Sequence, residues 1–327
     1  MHAYGRKLHD GMSVTRFMAI RLIRLYPLYL LALGLALSFC AWGVLRGNLN
    51  LYQNRDLSMV AVDAPFAILM LPSPVNQDVL FPLNYVAWSL FFELIGNAFF
   101  GLMGGKLTTR WVSVVVAVSG FLLCCAVTRG WFGLGMPFGA MLGGFDWQSF
   151  GAGVLRVSFS FFAGVLTYLL WDKWQHPIRI PPALIVGALI AILSVHPPVA
   201  FGCLYDLVIT VLVFPVMVLI GASNKPSGIM ARTYMAIGLA SYGVYVLQVP
   251  VYEISSRVIS KMPHIRSVWF TPAGGVVFIA VLFLLVLAAD YFYDVPVRRW
   301  LSAHLLRRRI TPRQLLAGSI SPPGKIH

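Results

Sequence analysis

The chain has 327 residues, of which 59% are hydrophobic and 11% are charged, and its formal net charge is +14. Ordinary soluble domains contain roughly 45–50% apolar and about 25% charged residues, so this composition excludes a single water-soluble core. The basic residues stand in short links between apolar runs and in a tail, which argues against a nucleic-acid-binding face.

Apolar runs recur along the chain, most of them close to the roughly 20 residues that a helix needs to cross about 30 Å of hydrocarbon. We therefore predict an all-α fold, a polytopic transmembrane bundle of about eight spanning helices. In chain order the predicted spans are residues 25–45, 84–103, 110–128, 152–171, 182–196, 203–221, 235–256 and 271–293.

A ninth apolar run, Ser58 to Leu71, is short and contains Asp63 and Pro65. If this run does not cross, 18 of the 25 Lys and Arg residues fall on one side of the membrane, which the positive-inside rule makes cytoplasmic. We therefore predict a re-entrant or interfacial helix here, and both termini in the cytoplasm. One membrane domain is expected over residues 1–293, followed by a basic tail at 294–327.

The four cysteines, Cys40, Cys124, Cys125 and Cys203, all lie within apolar runs and have no metal-ligand spacing. They are typical of small core residues, so the sequence predicts neither a disulfide framework nor a metal site. Six of the seven histidines lie in predicted loops or termini, and His196 stands at the outer end of a predicted span, so no buried imidazole base is expected.

Glu93 is the most prominent ionisable residue within a predicted span. Charged groups at membrane depth are costly, so each needs a partner, a water-filled cavity or a role. Ser89 precedes Glu93 by four residues and shares its helix face, next to Trp88, while Asn84 lies at the mouth of the same segment. The pattern favours a functional cavity, and a Glu that only packs against a neighbouring helix is the alternative.

Arg21 and Arg24 stand three residues apart at the cytoplasmic entry to the first predicted span, followed by Tyr26 and Pro27. Two guanidinium groups on one helix face can grip a phosphate through paired, charge-assisted hydrogen bonds. Arginines at such a position also follow from the positive-inside rule, so membrane anchoring is the favoured interpretation of these two residues when they are considered alone.

The predicted span at 235–256 carries Ser241, Tyr245, Gln248 and Tyr252 at steps of four, three and four, which form one polar stripe on a helix. Such a stripe is expected to face protein or water and not lipid. Packing between helices and the lining of a substrate cavity are both open interpretations. Pro250 is expected to bend this helix, because it lacks the backbone donor for Val246.

The order of three segments resembles the motifs of the acyltransferase family 3 membrane proteins. These segments are Arg21 to Pro27, Asn84 to Glu93 with its Trp-Ser-Leu core, and Ser241 to Tyr245. Two further features are similar to that family, namely Arg156 with the later Gly164, and Asp294-Val295-Pro296 with Arg298. The resemblance implies a bacterial inner-membrane enzyme that transfers acyl groups, commonly acetyl from acetyl-CoA, onto hydroxyls of glycans and related acceptors.

The same resemblance implies roles for the candidate residues. Arg21 and Arg24, with Tyr26 beside them, would bind the phosphates of coenzyme A. Glu93 would be the acidic group of the active site, shaped by Trp88, Ser89 and Asn84. The acceptor or acyl cavity would be lined by the segment that contains Ser241, Tyr242, Tyr245 and Gln248. No permanently bound cofactor is expected, since acyl-CoA is a substrate.

Two departures from the family pattern qualify the expected activity. The pattern has two earlier helices, the first with a His thought to act in catalysis, and we expect this chain to lack them through a misplaced start, a fragment or decay. Gln248 stands where the family often has His, and Gln cannot take up a proton near neutral pH. The 327-residue chain is therefore expected to show little transfer activity.

Three functions compete at this stage. The first is O-acylation of a glycan or small acceptor at the membrane. In that case the expected partners are the surrounding membrane lipid and a separate periplasmic protein that handles the acyl group. The second is a transporter in which Glu93 relays a proton or binds a cation. The third is an inactive scaffold. Inverted repeats or paired broken helices would favour a transporter, and the sequence shows neither.

Overall fold

A computed structural model describes residues 11–47, 57–103, 108–135, 143–173, 180–224 and 227–306, with only the backbone of Val199 and Ala200. Throughout these ranges the regular structure is helical, and no β-strand occurs in them. The part of the expected tail beyond residue 306 lies outside the described residues.

Twelve helices are numbered here in chain order. They are α1 Val14–Leu45, α2 Leu57–Ile68, α3 Ala87–Met103, α4 Thr109–Arg129, α5 Phe150–Lys173, α6 Pro182–Ser194, α7 Val199–Val208, α8 Phe214–Ala222, α9 Gly228–Ile259, α10 Pro263–Trp269, α11 Pro272–Ala289 and α12 Val295–Leu305. Two π-helical segments, Ile209–Val213 and Asp290–Asp294, join α7 to α8 and α11 to α12.

In the part of the chain that the structure describes, six helical stretches are long and apolar enough to cross a membrane. They are Val14–Leu45, Thr109–Arg129, Phe150–Lys173, Phe201–Ala222, Gly228–Ile259 and Pro272–Leu305. The predicted all-α polytopic membrane bundle is confirmed. Two of the eight predicted spans, 84–103 and 182–196, form the shorter helices α3 and α6 of 17 and 13 residues, which extend about 26 and 20 Å.

Helix α1 begins eleven residues before the predicted span, because Ser13 caps its N-terminus. The Ser13 hydroxyl accepts a hydrogen bond from the backbone N–H of Arg16, which satisfies one of the free donors of the first turn. Phe17 is fully buried and packs edge-on against Phe100 of α3 at 6.0 Å between ring centroids. Arg21 and Arg24 consequently lie inside a continuous helix and not in a loop that leads into it.

The run from Ser58 to Leu71 forms α2, whose 12 residues extend about 18 Å, well short of the hydrocarbon thickness of roughly 30 Å. It packs against α1, where the Tyr29 hydroxyl donates to the Ala67 carbonyl at 2.6 Å. The Asp63 carboxylate is buried and accepts a hydrogen bond from the Ser73 hydroxyl at 2.5 Å. A charged residue in this apolar run is thus accommodated by a local hydrogen bond.

Contacts between the helices define two ends of the bundle. Helices α1 and α9 run in the same direction, since Tyr242 bonds to Leu25 and Lys261 lies 5.3 Å from the Trp42 ring further along both helices. Helix α3 runs the other way, with its last residues beside Phe17. We call the two ends the Val14 end and the Leu45 end.

A tight helix contact lies between α9 and α11. A Cβ on Gly243 would come within 2.5 Å of a Val286 methyl carbon, so only glycine allows this approach. Val286, Val246, Tyr29 and Phe92 are all buried in the central apolar cluster. The close contact places the polar residues that flank Gly243 beside α1 and α3.

Helix α11 continues through the π segment Asp290–Asp294 into α12 without a break. The expected boundary at residues 293 and 294 between domain and tail therefore falls within this helix. Segments of π-helix occur often at functional sites, and this one carries two carboxylates towards α1 and α9.

Candidate functional site

A hydrogen-bonded group joins α3 to α9. The hydroxyls of Ser89 and Tyr245 lie 2.7 Å apart, and Tyr245 also donates to the Val86 carbonyl at 2.9 Å. Ser89 lies in the first turn of α3, and Tyr245 is near the middle of α9. The structure therefore brings together two of the predicted site residues that are 156 positions apart.

Glu93 follows Ser89 by one helical turn towards the Val14 end of the bundle. Its half-buried carboxylate lies close enough to Tyr242 and Tyr245 for its charge to act on both hydroxyls. Its backbone carbonyl accepts a hydrogen bond from the Asn97 side chain at 2.8 Å. The carboxylate has no hydrogen-bond partner in the described part of the chain, so it is open to a ligand.

Asn84 precedes α3, which begins at Ala87, so the predicted start of this helix at residue 84 is too early. The Asn84 side chain is 2% exposed and donates to the Val246 carbonyl at 3.0 Å. Its side-chain oxygen is buried without a hydrogen-bond partner among the described residues. Asn84 therefore fixes the entry to α3 against α9 at the Leu45 side of the Ser89–Tyr245 pair.

Arg156 joins this cluster from α5, although sequence reasoning did not include it among the candidate site residues. Its guanidinium lies 5.0 Å from the centre of the Trp88 ring and donates to the Gly143 carbonyl. It is also close enough to Tyr245 for the two groups to interact electrostatically. A single Arg in the otherwise apolar run 152–171 was the signal that could have identified it.

Arg24 and Tyr242 connect this cluster to the Val14 end. The Tyr242 hydroxyl donates to the Leu25 carbonyl at 2.6 Å and lies within electrostatic range of Arg24 and Glu93. Arg24 is exposed, whereas the Arg21 guanidinium lies 5.5 Å from the Phe17 ring centre. Tyr242 thus has the predicted donor-binding arginine and the predicted acidic group as neighbours.

The remaining predicted residues lie away from this centre. The Tyr26 hydroxyl donates to the Ile68 carbonyl, which ties α1 to α2. Ser241 is exposed, and its hydroxyl donates to Gly238 of its own helix at 2.8 Å. Gln248 is half-buried, and Tyr252 is exposed and contacts Phe278 edge-on. Of the four stripe residues, Tyr245 is the one that forms a hydrogen bond to a neighbouring helix within the described residues.

A second charged cluster, which sequence reasoning did not place in the site, lies on the π segment and α12. Arg298 pairs with Asp290 at 3.0 Å and with Asp294 at 2.5 Å. Asp294 is 2% exposed and lies within electrostatic range of Tyr242. Its Asp-Val-Pro-x-Arg pattern was visible in the sequence, but the approach of this carboxylate to α9 depends on tertiary packing.

An apolar cavity lies elsewhere in the protein. It has a volume of about 450 Å³ and lies between α4, α5 and the α7–α8 stretch, with Gly120, Phe159, Thr167 and Pro215 in its wall. None of the charged groups described above lines it. The polar cluster, and not this cavity, therefore defines the candidate active site.

Comparisons with known proteins identify the family to which the chain belongs. A family model described as an acyltransferase domain matches residues 8–288. The chain belongs to this acyltransferase family. A curated relative, "Protein 2 in picA locus" of Rhizobium radiobacter, is 36% identical over 136 residues, which cover 39% of this chain and 71% of the relative. No solved structure matches the chain.

Family membership confirms the resemblance that the three motifs indicated. The matched region of the acyltransferase domain includes Arg24, Glu93, Arg156 and Tyr245. The Asp290–Asp294 segment and α12 follow this region directly. The family therefore makes acyl transfer the general activity, and the polar cluster is its candidate site in this chain.

Proposed function

We propose that the protein is a membrane-bound O-acyltransferase that moves an acyl group, acetyl in the simplest case, from acyl-CoA to a hydroxyl of a glycan or related acceptor. One observation carries this proposal, namely that Tyr242, which bonds to Leu25 of α1, lies within electrostatic range of both Arg24 and Glu93. Arg24, which could bind the phosphates of the donor, and Glu93, which could take up a proton, thus both act on Tyr242. Acyl transfer needs both functions at one place.

The donor enters at the Val14 end, which we assign to the cytoplasm because acyl-CoA is made there. Arg21 and Arg24 lie on one face of α1, and the exposed Arg24 is open to a phosphate of coenzyme A. Positive-inside asymmetry supports this orientation. The acyl end of the donor then reaches along α9 towards Tyr242 and Glu93.

The reaction joins the acceptor oxygen to the thioester carbonyl carbon and breaks the carbon–sulfur bond. Glu93 takes the proton of the attacking hydroxyl, and this proton passes to the thiolate of coenzyme A as it leaves. The products are an ester and free coenzyme A thiol. The Glu93 carboxylate suits this step because it has no hydrogen-bond partner among the residues that the structure describes.

The proposal is tested by donor binding and transfer in one preparation. Because the 327-residue chain alone is expected to show little transfer, the parent protein in this and the later assays carries the two earlier helices of the family pattern at its N-terminus. This protein, purified in lipid nanodiscs, is titrated with radiolabelled acetyl-CoA, and transfer to extracted surface glycan is then measured. Arg24→Ala is expected to weaken donor binding at least tenfold. Arg46→Ala is the matched control, since Arg46 follows α1 at its opposite end, where it lies over Trp42.

Retained donor binding by Arg24→Ala would refute the assignment of the donor site and leave Arg24 as a membrane anchor. Equal loss of binding in Arg24→Ala and Arg46→Ala would point to damage to α1 in general. Absence of both binding and transfer in the parent protein would refute the proposed function itself.

A further inference from the structure

Arg156 is a half-buried cation in α5, a helix long and apolar enough to cross a membrane, and it has no carboxylate partner in the described parts of the chain. Its contacts there are the Gly143 carbonyl, the Trp88 ring and the electrostatic interaction with Tyr245. A guanidinium has five N–H donors, and the hydrogen bond to Gly143 uses one of them. Because an unpaired charge in such a helix is costly, the remaining donors are expected to bind an anionic partner.

The nearest acidic residue in the cluster does not supply that partner. Glu93 and Arg156 both act electrostatically on Tyr245, one as an anion and the other as a cation. No ion pair between these two side chains occurs in the described structure. Because Glu93 and Arg156 carry opposite charges near one hydroxyl and do not pair, a polar ligand that interacts with both side chains is expected to bind between them.

The position of Arg156 is built by close packing of the loop before α5. A Cβ on Gly144 would lie 2.7 Å from the Cα of Gly153 and 3.0 Å from the Trp88 ring, so the loop approaches α5 only with glycine there. The backbone N–H of Gly144 also donates to the Ser149 hydroxyl at 2.7 Å. These contacts hold the neighbouring Gly143 carbonyl on Arg156 and the Trp88 ring beside it.

We propose that Arg156 is a catalytic residue that binds the acyl carbonyl oxygen and stabilises its negative charge during transfer. This assignment rests on the proposed function. When the acceptor oxygen bonds to the carbonyl carbon, the carbonyl electron pair moves onto this oxygen. The pair returns to re-form the carbonyl as the thiolate of coenzyme A leaves. A fixed guanidinium in a water-poor site favours the charged intermediate over the neutral substrate.

The position of Trp88 strengthens this role. Its ring contacts Arg156 through a cation–π interaction, which orients the guanidinium and replaces water on one side of it. Lys at position 156 would keep the charge but lose the planar array of donors. The parent protein and the Arg156→Lys variant are therefore expected to differ more in turnover than in affinity for the acyl donor.

The assignment is tested with four variants in nanodiscs, assayed for acetyl-CoA binding, for the kcat and KM of transfer, and for thermal unfolding. Arg156→Gln is expected to lower kcat by roughly 100-fold or more with unchanged acetyl-CoA affinity, which is the loss typical of one oxyanion donor. Arg156→Lys is expected to fall between Gln and the parent. Ethylguanidine added to Arg156→Ala is expected to restore part of the lost kcat.

Arg257→Gln is the matched control, since Arg257 also lies over an aromatic ring, that of Phe39 at 5.9 Å, but outside the cluster. It is expected to keep the kcat of the parent. A parent kcat in Arg156→Gln would overturn the assignment and leave the proposed function intact. A lower unfolding temperature in Arg156→Gln together with failed ethylguanidine rescue would also overturn it, because Arg156 would then only hold the loop. A parent protein that transfers no acyl group would overturn both proposals.

Discussion

The close contact between α9 and α11 allows a prediction that does not depend on the chemistry. Gly243→Ala places a methyl group 2.5 Å from a Val286 carbon, about 1 Å closer than carbon atoms at optimal separation. Val286 is 1% exposed and cannot turn away into solvent. Overpacking of this kind costs about 1–3 kcal/mol, and the helix propensity of Ala returns about 0.5–1 kcal/mol. We expect a net loss of about 1–2 kcal/mol in the free energy of unfolding.

The same contact can be tested from the other side by a double-mutant cycle, in which Val286→Ala removes the methyl groups that a Cβ at position 243 would meet. Val286→Ala alone leaves a void, and loss of two buried methyl groups is expected to cost about 1–3 kcal/mol. In the double variant the new methyl at position 243 fills part of that void, so the two losses should not add. We expect a favourable coupling energy of about 1 kcal/mol or more, within the range found for residues in contact.

The assay is reversible unfolding in mixed detergent micelles, followed by tryptophan fluorescence. It compares the parent protein, the variants Gly243→Ala and Val286→Ala, and the double variant. Gly238→Ala is the control, since a Cβ at Gly238 would meet no atom within 4 Å. It should be neutral or stabilising. Losses that add to within about 0.3–0.5 kcal/mol would refute the close contact of α9 with α11, and with it the placement of Tyr242 and Tyr245.

Three further predictions follow from the site and the topology. Tyr245→Phe removes the hydroxyl that bonds to Ser89, and it should lower the free energy of unfolding by about 0.6–1.7 kcal/mol; unchanged thermal unfolding would contradict the bond. Glu93→Gln keeps shape but loses the charge, so it should lower turnover at least tenfold, about 1.4 kcal/mol in barrier, and a Gln variant with full turnover would reduce Glu93 to a packing residue. In a cysteine-free background, an impermeant maleimide added outside intact cells should label a cysteine at Arg266 but not one at Lys173, and the reverse pattern would overturn the proposed orientation.

The helical class and the order of the elements followed from the sequence, because long apolar runs without charge have few other solutions in a bilayer. Helix ends were harder to predict. Helix α1 begins at Val14, eleven residues before the predicted span, and this start depends on the Ser13 cap. The charged side chains of Arg16, Arg21 and Arg24 lower the mean hydropathy there, so hydropathy alone does not predict that the helix is continuous. Charged residues at a helix end lower apolarity without ending the helix.

The candidate site was predictable in part. Ser89, Glu93 and Tyr245 were chosen from spacing and motifs, and the structure brings Ser89 and Tyr245 into hydrogen-bond contact. The place of Arg156 depends on how the 143–149 loop packs on α5 and Trp88, which no local pattern encodes. The same holds for Asp294, whose approach to Tyr242 is set by the π segment.

The stripe on α9 shows the limit of periodicity. Steps of four and three place Ser241, Tyr245, Gln248 and Tyr252 along one side of an ideal helix. In the bundle, Ser241 and Tyr252 are exposed, while Tyr242, one position off the stripe, reaches α1. A helix that packs against several neighbours buries more than one face, so a single stripe does not define its lining.

The π segment at Asp290–Asp294 has a consequence for how this chain tolerates insertions and deletions. A π turn holds one more residue than an α turn, so deletion of a single residue there can restore regular α geometry. The extra residue is absorbed within one turn, so the side chains beyond it would keep nearly their present orientation around the helix axis. Arg298 would stay beside Asp294, which lies four residues before it. The same deletion in the regular turns of α11 would instead rotate every later side chain by about 100°, and it would move Asp294 away from Tyr242. A one-codon deletion of the exposed Phe292 should therefore be far less damaging than a one-codon deletion in the middle of α11.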